Sequence, residues 1–192
     1  MNEPLFTPTK LAEVIVIEPV VHKDHRGFFL ETHHQGKYAK EGIPDTFVQD
    51  NHSYSKRGTL RGLHAQVEKP QGKLVRVIQG EILDVAVDIR PSSPTFRRSV
   101  SRKLSGENHL QLWIPPGFAH GFYVLSEDAH VHYKCTSFYS QEAEIGILWS
   151  DPAIGIEWKV EGQLLLSDKD RDAEPLETFL HRLREHERKG PP

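Results

Sequence analysis

The ten residues WIPPGFAHGF (113–122) encode the fold most clearly. The first of them are apolar and predict a β-strand, which ends at Pro-Pro-Gly because proline and glycine favour turns. The aromatic and apolar residues that follow predict a second strand, with His120 near its start. The segment therefore predicts a strand, a tight turn and a second strand that begins with a histidine.

Short apolar runs of the same kind recur on both sides of this segment. Most are four to nine residues long, rich in Val, Ile and Phe, and bounded by turn residues. In residues 82–89 apolar side chains alternate with Asp84, Ala86 and Asp88, as on a strand with two different faces. Many short strands with few helices predict a mainly β protein, either a sandwich or a barrel. The predicted strands are Val14–Ile17, Gly27–Thr32, Lys73–Gln79, Glu81–Ile89, Arg97–Leu104, Leu110–Ile114, Gly121–Leu125, Val131–Thr136 and Ile145–Leu148.

One amphipathic α-helix is predicted at the C-terminal end, over about residues 174–189. Its apolar stripe consists of Leu176, Phe179, Leu180 and Leu183. A proline lies near its start and a glycine follows its end, as is common at helix termini. Because nothing in the composition marks a boundary, residues 1–192 are predicted to form a single domain.

The composition is that of a globular protein. The chain has 192 residues, of which 37% are hydrophobic and 27% charged, and its formal net charge is −3. This charge predicts no nucleic-acid surface, and no apolar run approaches the roughly 20 residues of a membrane span. The first residues lack a signal-peptide pattern. The single cysteine, Cys135, cannot form an intrachain disulfide, so we expect it to be buried and inert in a protein of the reducing cytoplasm.

The chain also has 12 histidines, which are typical either of metal sites or of proton transfer. His130 and His132 lie two residues apart on one face of a predicted strand. The opposite face, which carries Val131, Tyr133 and Cys135, is the more apolar one and is expected to face the core. Tyr133 is therefore expected inside, either as a proton donor or as a packed side chain with a backbone hydrogen bond.

Two polar stretches precede these strands. Gln49 and Asn51 share one face of an extended segment, where they would either read the edge of a planar base or simply line an edge strand. Arg61 and His64 are three residues apart, so a regular strand would place their side chains on opposite faces. Gly62 between them predicts a bulge that brings both side chains to one side. His64 is then either a proton acceptor or a buried neutral histidine.

The pattern Pro-x-Gly-x-x-His at residues 115–120 resembles the second motif of the cupins, small β-barrels with an internal pocket. Metal-binding cupins carry His-x-His in their first motif. Here that position reads His64-Ala65-Gln66, and an amide is a poor ligand for a divalent transition metal. Two histidines rarely hold a catalytic zinc, so we expect no metal.

Taken together, seven stretches resemble the dTDP-4-dehydrorhamnose 3,5-epimerase family, in family order and nearly continuously to about residue 170. They are HRGFFLE (25–31), VQDNHSYSKRGTLRGLHAQ (48–66), GKLVRVIQGEILDVAVDIRPSSPTF (72–96), WIPPGFAHGF (113–122), YKCTSFYS (133–140), ILWSDPAIGIEW (147–158) and LSDKD (166–170). One departure is Ala65, where the family usually has an aromatic residue that could shape the pocket.

The resemblance implies a cupin-type β-sandwich or jelly-roll barrel that works as a homodimer without metal or organic cofactor. It implies a dTDP-4-keto-6-deoxy sugar as substrate, with inversion at C3 and C5 in dTDP-L-rhamnose biosynthesis. A 3- or 5-monoepimerase, or a ketoisomerase, acting on a related sugar is the alternative within the same class. Outside that class stand a metal-dependent cupin such as a dioxygenase and a non-catalytic sugar-nucleotide binder.

The resemblance also assigns roles to residues. His64 matches the base, Asp170 its carboxylate partner and Tyr133 the proton donor, while Lys73 and His120 would stabilise an enolate. Arginines suit the diphosphate because the guanidinium fork fits its oxygens. The positions that match substrate contacts are Arg26, Glu31, Gln49, Asn51, Arg61, Lys73, His120, Glu144 and Lys169.

Overall fold

The computed structural model describes residues 3–43 and 46–181. They form a mainly β structure, as predicted, with two short helices named α1 (Gln35–Lys40) and α2 (Asp168–Arg171), and a further helical stretch begins at residue 176. The strands are β1 (Leu5–Pro8), β2 (Ile15–Glu18), β3 (Val21–Asp24), β4 (Gly27–Leu30), β5 (Gln49–Lys56), β6 (Leu60–Gln66), β7 (Lys73–Gln79), β8 (Glu81–Asp88), β9 (Ser99–Ser105), β10 (Gln111–Ile114), β11 (Phe118–Val124), β12 (Asp128–Cys135) and β13 (Glu144–Gly146).

Eleven of the strands form two antiparallel sheets that pack face to face, while β3 and β4 pair only with each other as a separate hairpin. The six-stranded sheet has the order β1-β2-β10-β7-β12-β5, and the five-stranded sheet has the order β13-β6-β11-β8-β9. The main core lies between them and draws apolar side chains from both, among them Val75 and Val131 on one side and Ala86 and Phe122 on the other. This arrangement confirms the predicted β-sandwich.

Each sheet is also covered on its outer face. The chain after β13 lies on the five-stranded sheet, where Trp158, Leu176 and Phe179 pack on it. On the six-stranded sheet, Tyr38 of α1 packs against strand residues that include Trp113. Strand β8 is consequently buried on both faces, and this explains why Asp84 and Asp88 are buried where sequence alternation suggested a polar face.

The segment 113–122 connects the two sheets, because β10 belongs to one and β11 to the other. Gly117 in its turn has φ +87°, and a Cβ there would lie 2.6 Å from Arg90 Cδ, so only glycine fits. Strand β11 begins at Phe118, three residues before the predicted start at Gly121, because it pairs with β8 along its whole length. His120 is thereby placed inside the strand and is buried.

The sequence predicted no regular element at β1, β3, α1 or α2, and it treated β5 and β6 only as polar stretches without giving them strand bounds. Strands β1 and β3 are only four residues long and mostly exposed, so their residues show no apolar alternation. The predicted terminal helix is present from residue 176, and its described residues Leu176, Phe179 and Leu180 are buried. Its predicted continuation over residues 182–189 lies outside the described residues. Within the described ranges, no helix is long and apolar enough to cross a bilayer.

Candidate active site

A cavity of about 190 Å³ lies between the two sheets and collects several of the predicted site residues. The five-stranded sheet contributes Arg61, His64 and His120 to one wall, while the six-stranded sheet contributes Lys73 and Tyr133 to the other. The complete lining consists of Ser53, Arg61, His64, Lys73, His120, Gly121, Phe122 and Tyr133. A group held in this cavity therefore meets different side chains on its two faces.

The position of His64 depends on an irregularity in β6. The pairing between β6 and β11 shifts register between His120 and Phe122, next to Gly62. Gly62 has φ +103°, and a Cβ there would lie 2.6 Å from the His120 carbonyl oxygen. The shift allows Arg61 and His64, which have opposite parity, to line the same cavity. The predicted bulge at Gly62 is confirmed.

His64 is hydrogen-bonded to Asp170, as the resemblance implied. The distance from His64 Nε2 to Asp170 Oδ1 is 2.6 Å. Asp170 lies on α2, a single helical turn. Ser167 caps this turn by accepting the Asp170 N–H at 3.1 Å, and its hydroxyl donates to Asp170 Oδ2 at 2.8 Å. The cap thus also fixes the orientation of the carboxylate.

The protonation state of this pair follows from its surroundings. Burial alone would raise the pKa of Asp170, but hydrogen bonds from His64, Ser167 and a main-chain N–H hold that pKa below its usual value. Asp170 is therefore ionised at neutral pH and can only accept. His64 must then donate its Nε2–H, which leaves Nδ1 as the nitrogen that can take up a proton.

A second histidine–aspartate pair lies beside the first. His120 Nε2 is 2.8 Å from Asp84 Oδ2, and both side chains are buried. The other carboxyl oxygen, Asp84 Oδ1, has no hydrogen-bond partner among the described residues. Sequence reasoning missed Asp84 as a site residue. The available signal was a carboxylate in the middle of an otherwise apolar strand.

Lys73 and Tyr133 form the opposite wall. The Lys73 ammonium lies 6.0 Å from the centroid of the Tyr133 ring. Burial lowers the pKa of Lys73, although the nearby acidic groups counteract this effect. No carboxylate in residues 3–43 and 46–181 lies within 4.0 Å of its nitrogen, so the ammonium is available to an anionic group in the cavity.

Tyr133 points inward, as the alternation in β12 predicted, and packs against the main core. Burial raises the pKa of its phenol, so the hydroxyl keeps its proton at neutral pH. In the described part of the chain this hydroxyl has no protein hydrogen-bond partner. The structure therefore does not support the alternative in which Tyr133 is a packed side chain with a backbone hydrogen bond.

Polar side chains surround the cavity on the side of β5. Arg61 donates to Ser55 Oγ at 3.0 Å, which holds its guanidinium against this strand. Gln49 and Asn51 share one face, as predicted, with Gln49 Nε2 donating to Asn51 Oδ1 at 3.0 Å. Asn51 lies directly opposite Tyr133 in the β5–β12 register. The structure thus brings both amides next to the cavity wall.

Glu144 and Lys169 also lie close to the catalytic candidates. They form an ion pair, and Lys169 immediately precedes Asp170 on α2. Burial would raise the pKa of Glu144, but hydrogen bonds from Lys169 and Tyr139 hold that pKa below its usual value. Glu144 is consequently ionised at neutral pH and is bound by Lys169 and Tyr139.

Two predicted substrate contacts do not reach this cavity within one chain. Arg26 lies in the β3–β4 hairpin, forms an ion pair with Asp24, and has a side chain that is 79% exposed. Glu31 pairs instead with Lys37 at 2.9 Å. Both residues border surface grooves that share no residue with the cavity.

The remaining sequence candidates do not line the cavity. His130 and His132 are on the outer face of β12, and His130 Nδ1 is 3.0 Å from His52 Nε2. Cys135 is buried and free, as predicted, and burial raises the pKa of its thiol. Ala65 packs into the apolar cluster on the outer face of the five-stranded sheet, so it does not shape the cavity. Among the described residues, no three His, Cys, Asp or Glu side chains are grouped as a metal site requires.

Comparison with known proteins agrees with this geometry. The family model described as dTDP-4-dehydrorhamnose 3,5-epimerase matches residues 8–178, which is most of the chain. The chain belongs to this family. A curated member from Methanothermobacter thermautotrophicus, named dTDP-4-dehydrorhamnose 3,5-epimerase, is 52% identical over 178 residues, covering 92% of this chain and 96% of that protein.

Solved structures of family members have the same fold. A dTDP-6-deoxy-D-glucose-3,5-epimerase from Legionella pneumophila, in complex with dTDP-4-keto-L-rhamnose, superposes with a TM-score of 0.92 at 49% identity. That superposition covers 94% of this chain and 97% of the other. A 3′-monoepimerase from Streptomyces bikiniensis, in complex with dTDP-quinovose, gives a TM-score of 0.85 at 34% identity, with 92% and 90% coverage. The cupin-type sandwich predicted from sequence is confirmed.

Proposed function

We propose that this protein is an isomerase that inverts C3 and C5 of dTDP-4-dehydro-6-deoxy-D-glucose and gives dTDP-4-dehydro-L-rhamnose. The observation that carries the assignment of roles is the placement of a base and an acid on opposite walls of one cavity. His64, oriented by Asp170, comes from one sheet, and Tyr133 comes from the other. The family comparison supports the same reaction and a place in dTDP-L-rhamnose biosynthesis.

The ketone at C4 acidifies the hydrogens on C3 and C5. His64 Nδ1 removes the C3 proton, and the resulting imidazolium is stabilised by the Asp170 carboxylate. The electron pair of the C–H bond moves to the C4 oxygen and forms an enolate. The Lys73 ammonium, which has no carboxylate partner among the described residues, stabilises this negative charge together with His120.

Tyr133 completes the inversion from the other wall. Its hydroxyl gives a proton to C3 on the face opposite His64, the enolate electrons return, and the ketone is restored. Its raised pKa serves this step, because the donor must be protonated before the reaction. Proton exchange with water resets His64 and Tyr133, and the same sequence then applies at C5.

Substrate binding uses the polar residues around the cavity. In this scheme Arg61 binds the diphosphate, Gln49 and Asn51 bind the thymine edge, and Glu144 and Lys169 contact the substrate near His64. No metal or organic cofactor enters this scheme.

We further propose a homodimer in which a second copy supplies Arg26 and Glu31. Two observations support it, namely the distance of these residues from their own cavity and the exposed side chains of Phe28 and Phe29 in the same hairpin. Light scattering should then give twice the mass of 21.9 kDa. A fully active monomer would contradict the dimer.

The buried free thiol of Cys135 supports a place in the reducing cytoplasm.

The reaction is tested by incubating the protein with dTDP-4-keto-6-deoxyglucose in D₂O and following the sugar by NMR. Deuterium should appear at both C3 and C5, and the absence of exchange at either carbon would refute the assignment. In Tyr133→Phe the base remains, so exchange at C3 should persist while inversion is lost. The alternative is a monoepimerase, the activity named for the Streptomyces bikiniensis relative, and it would leave label at C3 alone.

A further inference from the structure

A short segment between β12 and β13, residues 138–140, carries two aromatic side chains next to the cavity wall. We call it the strap. Phe138 and Tyr139 are both exposed, and neither belongs to an apolar cluster. The Tyr139 hydroxyl donates to Glu144 Oε2 at 2.7 Å. The position of the strap therefore determines one of the hydrogen bonds that hold Glu144.

The strap is held from the five-stranded sheet by Gln66. Gln66 lies in β6 and is buried, with an exposure of 6%. Its Oε1 accepts the Ser140 N–H at 2.7 Å, and its Nε2 donates to the Phe138 carbonyl at 3.3 Å and to the Lys69 carbonyl at 3.1 Å. All three bonds go to main-chain atoms, so the amide uses both of its N–H groups to fix the backbone.

The adjacent N–H of the strap is held from the other sheet. Gln49 of β5 accepts the Tyr139 N–H at 2.8 Å with its Oε1. Consecutive main-chain N–H groups, those of Tyr139 and Ser140, therefore bind glutamines from opposite sheets. The strap spans the sandwich beside the catalytic candidates, and its backbone is fixed at both sides.

Beyond Tyr139 the contacts continue into the site. Glu144 Oε2 accepts from Tyr139 and is also paired with Lys169, the residue next to Asp170 on α2. A movement of the strap would remove one of the two partners of this carboxylate. It would leave the His64–Asp170 hydrogen bond intact, because Ser167 and Gly62 hold Asp170 independently.

We propose that Gln66 is a positioning residue, which acts through Tyr139 on the Glu144–Lys169 pair and thereby sets substrate affinity without taking part in proton transfer. The proposal rests on the proposed function, in which Glu144 and Lys169 contact the substrate. The proposal explains the amide at the place of the second histidine in His-x-His. Where a metal-binding cupin has a metal ligand, this chain has Gln66, which binds the main chain of the strap.

The main test is Gln66→Met, which keeps the length of the side chain and removes its three hydrogen bonds. We expect KM for dTDP-4-keto-6-deoxyglucose to rise about tenfold, while kcat and its pH profile change less than about twofold. Tyr139→Phe should raise KM as well. Because the two residues act through the same contact, the double variant should be less impaired than the product of the single effects. A fall in kcat at constant KM, or multiplying effects, would overturn the proposal.

A matched control is available in Gln71, whose Nε2 donates to the Ser137 carbonyl at 2.8 Å, one residue before the strap. Gln71→Met removes a comparable bond to the same segment and should leave KM within about twofold. An equal rise in KM would mean that any loosening of the segment matters, which overturns a specific role for Gln66. Gln66→Glu, which retains the acceptor and loses both donors, should raise KM in the same direction and guards against misfolding of the Met variant.

Binding of dTDP-glucose by calorimetry separates this proposal from the proposed function. This ligand has no ketone and is not turned over, so its Kd is measurable even if the wild type shows no epimerisation. We expect Gln66→Met to weaken its binding about tenfold and Gln71→Met to leave it unchanged. An unchanged Kd in Gln66→Met would overturn the positioning role, whereas an inactive wild type would overturn only the epimerase assignment.

Discussion

The two histidine–aspartate pairs of this protein are neighbours whose histidines line the same cavity and differ in their exposure. His64 and His120 lie directly opposite each other in the β6–β11 register. The His64 side chain is 27% exposed, and Asp170 has further hydrogen bonds from Ser167 and Gly62. The His120 side chain is 6% exposed, and Asp84 has no partner but His120 among the described residues. The same chemical pair thus provides an accessible base in one case and, in the other, a buried histidine that its aspartate holds at the cavity wall.

The comparison teaches that the environment of a histidine, more than its identity, decides its role. An accessible imidazole with an ionised carboxylate behind it can exchange protons with a substrate. A buried imidazole whose partner depends on it alone is held in place, and its removal leaves a desolvated carboxyl group without a hydrogen bond.

His64→Ala should reduce kcat/KM for epimerisation about 1,000-fold, because general base catalysis typically contributes factors of about 10² to 10⁴. The fold should remain, with a loss of only about 1 kcal/mol in the free energy of unfolding, since Asp170 keeps two other donors. Deuterium exchange by NMR and urea unfolding measure the two effects. Retention of most of the activity would exclude His64 as the base.

His120→Ala should lower activity, because it removes a group that stabilises the enolate, and it should also lower stability more than His64→Ala does. It leaves Asp84 buried with no hydrogen bond from the described residues, and an unsatisfied buried polar group costs about 1–3 kcal/mol, or more if it is charged. We expect the free energy of unfolding to fall by about 3 kcal/mol, measured by urea denaturation alongside His64→Ala. Equal losses of stability in the two variants would contradict the distinction between the pairs.

Asp170→Asn should lower kcat/KM by about 100-fold. The amide can donate to His64 Nε2, which favours the tautomer that has its proton on Nδ1 and cannot act as a base there. The side chains are isosteric, so circular dichroism should show an intact fold. Ser167→Ala serves as the control, because it removes the cap of α2 but leaves the carboxylate, and its activity should fall much less.

The smallest effect concerns the pH dependence of stability. The pKa of Asp170 is lowered in the folded protein, so its contribution to stability is present above its unfolded pKa of about 3.9 and is lost as pH falls through the folded pKa. The stability difference between wild type and Asp170→Asn should therefore be larger at pH 7 than at pH 3. Urea unfolding at both pH values measures it, and a difference that does not change with pH would show that the carboxylate charge has no part in the stabilisation.

The sequence by itself determined much of the fold and the chemistry of the site. A short apolar run bounded by turn residues predicted β7 with its observed bounds. Alternation along β12 predicted its inward side, because burial selects one face of a strand. The turn at Gly117 and the bulge at Gly62 were also predictable, since only glycine tolerates these backbone conformations at such close approach. The resemblance to a family then supplied the types of catalytic residue.

The packing of the two sheets decided how these residues meet, at the level of individual atoms. His64 and Asp170 are 106 residues apart, and no local pattern reports a contact over that separation. Asp84 and Gln66 were not assigned any role from sequence, because a buried partner is visible only when strands pair and the cavity closes. The short elements β1, β3 and α1 are determined by neighbours rather than by periodicity, since four to six residues carry too little pattern of their own.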